Sequence, residues 1–276
     1  MISEIFLTGL LQGLNLALVA YGVMIPFRLL DFPDLTSEGA YPLGGTLCAI
    51  ILISGLNPIL AILFASLLGG LLGIGTALIN LRFKVNSLLA GIILSTMIYS
   101  VNLRIMGKPN LALFEQLTIF SNQTIFFKIA ILLFTICIFI LPLALFLKTE
   151  MGLRLRAVGL NPSFAKRQKI SITLYTILGL FIANFYNSLA GSIIVQLQSY
   201  MDIGMGVGIV IHALAALMIG ETIIGNDSVN KQLIAPLIGA LVYQQIQGMA
   251  LIIGFSPSDL KFLTGAIVLL VIAMKK

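Results

Sequence analysis

Residues 125–147 read IFFKIAILLFTICIFILPLALFL, an apolar stretch in which Lys128 is the single charged side chain. An α-helix rises about 1.5 Å per residue, so about 20 apolar residues cross the roughly 30 Å hydrocarbon core of a bilayer. The stretch exceeds that length, and it lacks the alternation of polar and apolar residues that is typical of membrane β-barrel strands. The sequence therefore predicts a membrane-spanning helix here.

The composition extends this prediction to the whole chain. Of 276 residues, 59% are hydrophobic and 9% are charged, whereas about a quarter of the residues in a soluble domain are charged. Only helices and closed barrels satisfy their backbone hydrogen bonds in lipid. We therefore expect an all-α integral membrane protein, with one transmembrane domain over residues 1–276. The apolar runs predict about nine spans: Ile5–Ile25, Thr36–Leu56, Pro58–Leu81, Ser87–Met106, Ile125–Leu147, Ile170–Leu197, Met205–Ile224, Gln232–Ile253 and Ser258–Ala273.

The basic residues predict the orientation of these spans. Residues 148–169 hold six Lys and Arg side chains and one acid, Glu150, and loops rich in Lys and Arg stay in the cytoplasm. Counting the nine spans from this segment puts six further basic residues on the same side: Arg28, Arg82, Lys84, Lys231, Lys275 and Lys276. We expect the N-terminus outside, without a cleavable signal peptide, and the C-terminus inside. Residues 107–124 then form an outer loop, in which a short helix is expected.

A polar stretch precedes the second span. Residues 32–45 read FPDLTSEGAYPLGG and hold two acids, two prolines and three glycines. Lipid penalises exposed polar groups and irregular backbone, so a broken or re-entrant helix packed inside the protein is expected. Asp34 or Thr36 could cap the helix that follows. For Asp34, capping and a role facing a pore or partner both remain open.

Polar side chains at membrane depth are candidates for the wall of a translocation pathway. They are Glu38, Tyr41, Asn102 and Asn187, followed by Gln196 and His212. A lone histidine within an apolar run is more often a hydrogen-bonded packing residue, so that interpretation also stays open for His212.

Small residues and cysteines lie within the apolar runs. The glycines of residues 69–75 and 204–208 predict close helix packing more than ligand contact. Cys48 and Cys137 lie in separate runs, and we expect both to be buried free thiols.

Motifs for catalysis and cofactor binding are absent from the sequence. It contains no GxxxxGK[ST] loop, HExxH, CxxC or GxSxG pattern. We therefore expect no catalytic residues, no metal site and no cofactor. The net charge of +6 comes from basic residues between apolar runs, which indicates membrane topology rather than nucleic-acid binding.

Three blocks of sequence resemble one family. Residues 32–39 (FPDLTSEG) are similar to its broken-helix signature, and residues 86–92 and 99–110 to a stretch typical of one subgroup. Residues 152–162 (GLRLRAVGLNP) resemble its cytoplasmic coupling segment. The family comprises permease subunits of bacterial ABC importers related to the branched-chain amino acid and ribose permeases. The similarity is greatest to the tryptophan/tyrosine transport permeases.

The resemblance implies a function and partners. The chain would be the inner-membrane permease of an ATP-driven importer for a small amino acid-like solute, with an aromatic one as the narrower expectation. It would pair with a second permease copy as a homodimer, receive solute from an extracytoplasmic binding protein at residues 107–124, and bind cytoplasmic ABC ATPase subunits at residues 148–169. The implied coupling residues are Gly152, Leu153, Arg154, Arg156, Ala157, Gly159, Asn161 and Pro162.

Exposed basic side chains on this coupling helix would orient the ATPase, and apolar neighbours would supply contact area. We expect Gly152, Gly159 and Pro162 to set the sharp turns at its two ends.

Other classes remain as alternatives. A secondary transporter driven by an ion gradient would need acids at the bilayer midplane, where Glu38 is the candidate, although it lies near a span end. An intramembrane enzyme is disfavoured because no nucleophile–base pair is apparent. A passive channel, or a basic loop that serves topology alone, would leave the long segment of residues 148–169 without a partner.

Overall fold

The computed structural model describes residues 2–256 and 259–274, and helices dominate it. In chain order the elements are α1 (Ile2–Met24), a π-helix (Ile25–Leu29), α2 (Ser37–Ile53), α3 (Pro58–Phe83), α4 (Ser87–Met106), β1 (Asn110–Ala112), α5 (Ile125–Lys148), α6 (Glu150–Leu160), α7 (Pro162–Arg167), α8 (Ile172–Gln198), β2 (Tyr200–Asp202), a 3₁₀-helix (Ile203–Gly206), α9 (Ile209–Ile224), α10 (Val229–Ile253) and α11 (Leu260–Met274).

Seven helical stretches of the described residues are long and apolar enough to cross a membrane. The predicted third, fourth and fifth spans begin at the residues where α3, α4 and α5 begin. Two further apolar helices, Ser37–Ile53 and Leu260–Val271, are shorter, so the crossing of all nine stays a prediction. Ser258, the predicted start of the ninth span, lies outside the described residues.

The segment 107–124 differs from the prediction of a short helix. Gly107 ends α4 in the left-handed conformation with φ 70°, and Pro109 cannot supply a backbone N–H to a new helix. The chain instead forms β1, which pairs antiparallel with β2, with Leu111 opposite Met201.

The prediction that both cysteines are buried is wrong for Cys137, whose side chain is exposed on α5. Cys48 is buried, and both cysteines are free thiols.

The chain forms two compact units. We call the first the α8 unit; it comprises Gly22–Asn122 and Thr149–Ile209. We call the second the α10 unit; it comprises Met1–Tyr21, Gln123–Lys148 and Val210–Lys276.

Glycines bring the helices of the α8 unit into backbone contact. A methyl group on Gly44 of α2 would overlap the carbonyl oxygen of Ser188 on α8, and one on Gly191 of α8 would overlap that of Tyr41 on α2. On α3, Gly73 meets the Leu180 carbonyl of α8 in the same way. Helices in lipid associate through such close packing because water does not drive them together. The predicted packing role of the glycines in residues 69–75 therefore matches the contact of Gly73.

The α10 unit uses the same principle. Gly220 of α9 lies against the Ala235 carbonyl of α10, and Gly239 of α10 lies against the Ala216 carbonyl of α9. The Tyr21 hydroxyl, at the end of α1, donates to the Leu233 carbonyl at 2.6 Å. Paired glycines and a buried hydrogen bond thus hold α1, α9 and α10.

Two glycines on α3 give a matched test of this packing. Gly73→Ala places a methyl group against the rigid Leu180 carbonyl, and overpacking of this kind costs about 1–3 kcal/mol. Gly75→Ala meets only the flexible end of Leu94, 3.1 Å away, and gains about 0.5–1 kcal/mol of helix propensity. Thermal unfolding of the purified protein in detergent should show a lower midpoint temperature for Gly73→Ala than for the wild type. The midpoint of Gly75→Ala should not be lowered. Equal midpoints would contradict the packing account.

Candidate functional site

The basic segment folds into two short helices, α6 and α7. The Thr149 hydroxyl accepts from the Gly152 N–H at 3.5 Å at the start of α6, and Asn161 Oδ1 accepts from the Phe164 N–H at 2.9 Å at the start of α7. Pro162 occupies the first turn of α7, where a proline costs no hydrogen bond. Asn161 and Pro162 therefore form the corner between the two helices.

The expected turn roles of Gly152 and Gly159 are wrong. Both lie inside α6, and a methyl group on Gly159 would overlap the backbone carbonyl of Leu29. Gly159 is needed for close packing against the chain that follows α1, rather than for a turn. Leu155 and Val158 of the same helix are buried.

The opposite side of the segment carries apolar and charged side chains. Leu160 is 86% exposed, and Leu153 and Phe164 are exposed as well. Basic side chains surround them: Arg154, Lys166 and Arg167 are exposed and Arg156 is half-buried. Leucine and phenylalanine at this exposure on a basic surface are typical of a protein-binding site. We call Leu153, Arg154, Leu160, Phe164, Lys166 and Arg167 the docking face.

Hydrogen bonds orient the arginines. The Arg154 guanidinium pairs with Glu150 one turn earlier in α6. Hydrogen bonding to Tyr175, and then to Glu150, raises the pKa of Arg154, so the guanidinium stays charged. Arg156 Nε donates to the Gly152 carbonyl at 3.4 Å. Both arginines are thus hydrogen-bonded within or beside α6, and Ala157 of the same helix is half-buried.

A buried polar network lies in the α8 unit where α2 begins. Asp34 has no exposed surface; its Oδ1 accepts from the Thr36 N–H at 2.8 Å and its Oδ2 from Asn184 Nδ2 at 3.0 Å. Thr36 Oγ1 lies 2.6 Å from Thr76 Oγ1. Burial of a carboxylate is costly unless its oxygens are hydrogen-bonded, so this network determines how the irregular segment before α2 lies against α3 and α8.

Neither Asp34 nor Thr36 caps α2 by accepting a hydrogen bond from a backbone N–H inside the helix. Thr36 is the N-cap residue of α2, yet its side chain caps nothing. Asp34 instead accepts from the N–H of Thr36 itself. That bond satisfies a backbone donor just before the helix, so Asp34 stabilises the turn that leads into α2.

The structure gathers three of the candidate pathway residues near the start of α2. Asn187 Nδ2 donates to Ser37 Oγ at 2.7 Å, and both groups are buried. Glu38 is half-buried, and its Oε1 accepts from the Gly208 N–H at 3.1 Å. Tyr41 is buried, one turn further along α2. Of these, Glu38 is the side chain with appreciable exposed surface.

The other candidates lie elsewhere. Gln196 is buried near the far end of α2 and donates to the Pro58 carbonyl at 3.0 Å, while its Oε1 accepts from the Ile119 N–H. Asn102 of α4 is buried, and among the described residues neither polar atom of its side chain has a hydrogen-bond partner. His212 belongs to the α10 unit, half-buried with its ring 5.9 Å from that of Tyr243. The pathway role of all six residues stays a prediction.

Three residues that were not among the candidate site residues bind groups far away in the sequence. Asn184 and Thr76 bind the turn that contains Asp34, and Ser37 binds Asn187. The spacing of Asn184, Asn187 and Ser188 by three and four residues, which places them on one helix face, was the available signal.

A cavity of about 300 Å³ lies in the α10 unit. Its polar lining comes from Glu4, Thr8 and Gln12 of α1 and from Gln244 and Gln247 of α10, and Gln244 donates to Gln12.

In residues 2–256 and 259–274, no group of three His, Cys, Asp or Glu side chains is arranged to hold a metal ion.

Comparison with known proteins identifies relatives along nearly the whole chain. Residues 5–272 match the family described as the branched-chain amino acid transport system permease component. A tyrosine transport system permease protein of Clostridioides difficile (strain R20291) is 36% identical over 95% of this chain and 88% of that protein. An uncharacterized protein of Rickettsia prowazekii (strain Madrid E) is 32% identical over 99% of this chain and 98% of its own length.

A solved structure gives an independent view of the fold. It is described as an inward-facing conformation of a metal-chelate type ABC transporter, and it aligns with 99% of this chain and 85% of its own, at a TM-score of 0.52. Sequence identity over the alignment is 18%, so the likeness shows the fold alone.

The Asp34 network predicts a specific stability difference between two buried positions on α8. Asn184→Ala removes a donor from the buried Asp34 carboxylate, which costs about 1–3 kcal/mol. Ser192→Ala removes a buried hydroxyl that donates only to the Leu189 carbonyl of its own helix, so its effect should be smaller. Thermal unfolding in detergent measures both variants. The network has no special role if Asn184→Ala unfolds at the same temperature as Ser192→Ala.

Proposed function

The chain belongs to the family of branched-chain amino acid transport system permease components, and from this premise we propose that it is the membrane-spanning permease of an ATP-driven importer. It would form the path for a small solute, while separate ATPase subunits would supply the motion. Uphill import requires an energy source, and the sequence contains no P-loop for a nucleotide.

The docking face of α6 and α7 is the observation that carries this proposal. Leu160 and Phe164 are exposed among basic side chains, and the segment lies outside the seven stretches that could cross a membrane. Apolar anchors would provide affinity for an ATPase, and the surrounding charges would provide orientation and association rate. A loop that served topology alone would need the charges and would gain nothing from exposed leucine and phenylalanine side chains.

The orientation follows from the distribution of charge. We place α6 and α7 in the cytoplasm because residues 148–169, which contain both helices, hold six of the sixteen Lys and Arg residues, and such loops are retained inside. With nine crossing helices, the N-terminus lies outside and the C-terminus inside the bacterial inner membrane.

The proposed solute is an amino acid, and an aromatic one in the narrower form of the proposal. Support comes from the relative of Clostridioides difficile, which is named a tyrosine transport system permease protein and is 36% identical over 95% of this chain. An extracytoplasmic binding protein would deliver the solute to residues 107–124, where Phe114 and Leu117 are each 77% exposed. These side chains would supply the apolar part of that contact.

The pathway is proposed to run along α4 between two copies of the chain. Thr96, Ser100 and Arg104 follow one another at intervals of four residues and are exposed, with Tyr99 beside them. Polar side chains along a spanning helix are expected to face water or protein rather than lipid. A second copy facing this side of α4 would enclose them.

Of the candidates in the α8 unit, Glu38 is the half-buried one, and its helix packs against α4 beside it. A methyl group on its neighbour Gly39 would contact Ile98 and the Cα of Ser95 on α4. Tyr41, Asn102, Asn187 and Gln196 are buried in the α8 unit. They would line a pathway only in a conformation that opens this packing.

Two apolar side chains of the docking face give a direct test. Leu160→Ala with Phe164→Ala should reduce co-purification of a P-loop ATPase encoded in the same gene neighbourhood by at least about tenfold, since anchor residues contribute about 2 kcal/mol or more. Uptake of labelled tyrosine should fall in parallel. Leu141→Ala, equally apolar and exposed on α5, is the matched control and should retain both.

Charge reversal tests the orienting role. Arg154→Glu with Arg156→Glu should also weaken ATPase association and uptake. The proposal of an ATP-driven importer is wrong if no ATPase co-purifies with the wild-type chain. Uptake that continues without an ATPase and depends on an ion gradient would indicate a secondary transporter.

A further inference from the structure

The buried side of α6 contacts the chain at an unusual point. The α-helical part of this stretch, α1, ends at Met24, and a π-helix follows directly over Ile25–Leu29. The Leu30 N–H donates to the Ile25 carbonyl at 3.1 Å and the Phe32 N–H to the Pro26 carbonyl at 2.9 Å. Asp31 then adopts φ 49°. Single π-helical turns are rare in proteins, and those that occur are often found at functional sites.

Gly159 makes this contact without any intervening side chain. A methyl group there would overlap the Leu29 carbonyl and lie 2.7 Å from Leu30 Cα. Leu30 then fills the space between α6 and α8, because a methyl group on Gly179 would lie 2.5 Å from Leu30 Cδ1 and 3.3 Å from Leu155 Cδ1. Leu29, Leu30 and Leu155 are all buried.

The same stretch of chain is held at its other end near the start of α2. Four residues after Leu30, Asp34 is hydrogen-bonded to Asn184 of α8. Gly91 of α4 lies against it, since a methyl group there would be 2.7 Å from the Leu35 nitrogen and 3.0 Å from Asp34 Oδ1. Glu38 follows within one turn of α2 and accepts from the Gly208 N–H.

We propose that residues 25–36, which we call the π-turn segment, form the arm through which α6 moves the start of α2, and that Gly159 is the positioning residue of this contact. The inference rests on the proposed docking of an ATPase at α6 and α7. Where two backbones touch directly, no side chain between them can change rotamer when one of them moves. We therefore expect α6 and the π-turn segment to move together. A displacement of α6 is therefore delivered to Asp34 and Glu38, and from there to α4.

The first test separates docking from transmission. Gly159→Ala forces α6 and the π-turn segment apart, while the docking face on the opposite side keeps its side chains. ATPase subunits should still co-purify, whereas uptake of labelled tyrosine should fall at least about tenfold (about 1.4 kcal/mol) and more ATP should be hydrolysed per solute. Gly265→Ala on α11, where a methyl group meets nothing within 4 Å, is the control and should transport normally.

The outcomes distinguish the two proposals. Normal uptake by a monodisperse Gly159→Ala protein overturns the transmission role and leaves ATPase docking intact. Absence of the ATPase from the wild-type preparation overturns the proposed function instead. Loss of the ATPase from Gly159→Ala alone would assign Gly159 to docking and also overturn the inference.

A distance measurement covers the case in which Gly159→Ala does not fold. Spin labels at Arg28→Cys and Gln168→Cys, both exposed in the wild type, report the separation of the π-turn segment from α7. The exposed Cys137 is first replaced by serine, and the buried Cys48 remains. Gln168→Cys alone reports the separation of the two copies' basic segments in the proposed homodimer.

Trapping ATP in the complex should change the distance between the two copies and leave the Arg28–Gln168 distance unchanged. A shifted or split Arg28–Gln168 distribution would show that α6 moves independently of the π-turn segment and would overturn the inference. If neither distance changes, ATP does not move the basic segments, and the proposed function is contradicted.

Discussion

Close backbone contact between helices at glycine positions is the constraint on which the α8 unit depends. Gly44 and Gly191 join α2 to α8, and Gly73 joins α3 to α8. In lipid these contacts replace the hydrophobic effect as the source of helix association. They also bring the start of α2 within hydrogen-bonding distance of α8, where Asp34 meets Asn184 and Ser37 meets Asn187. Without the glycines, these polar groups would lose their partners.

Polar groups within the packed unit set the position of the irregular backbone. Residues 30–36 contain no regular helix, and a backbone of this kind is tolerated at membrane depth only inside protein. Asp34 satisfies the Thr36 N–H, and Thr36 meets Thr76 of α3. Gly159 of α6 contacts the same stretch from its other end. One compact unit thus contains the basic segment, the irregular stretch and α2.

The sequence predicted the helices well because an apolar run of spanning length has few alternatives. The starts of α3, α4 and α5 were correct, since Pro58, Ser87 and the polar residues before Ile125 interrupt the apolar pattern there. The pairing of Asp34 with Asn184 was not predictable, because the two residues are 150 positions apart and helix periodicity carries no information about which faces meet. The strands β1 and β2 were missed for the same reason.

Glycine was the residue type most easily misinterpreted. Gly73, in the apolar run of α3, correctly indicated helix packing, whereas the same prediction for residues 204–208 is wrong at Gly208, which adopts φ 82° and would meet nothing within 4 Å with an added methyl group. In the polar segment, Gly152 and Gly159 were taken for turn residues, because glycine in a short hydrophilic stretch more often ends a helix than packs inside one. Only the contact of Gly159 with Leu29 shows that a polar, amphipathic helix is pressed against another backbone on its inner side.

The proposed docking of an ATPase requires the basic segment to lie in the cytoplasm. Labelling of Ser163→Cys, exposed on α7, in a Cys137→Ser protein with a membrane-impermeant maleimide tests this most directly, and Leu117→Cys in the outer loop serves as the reference. In intact spheroplasts, Ser163→Cys should stay unlabelled and Leu117→Cys should be labelled, and permeabilisation should make Ser163→Cys reactive. Labelling of Ser163→Cys in intact spheroplasts would contradict the topology and, with it, the docking of an ATPase.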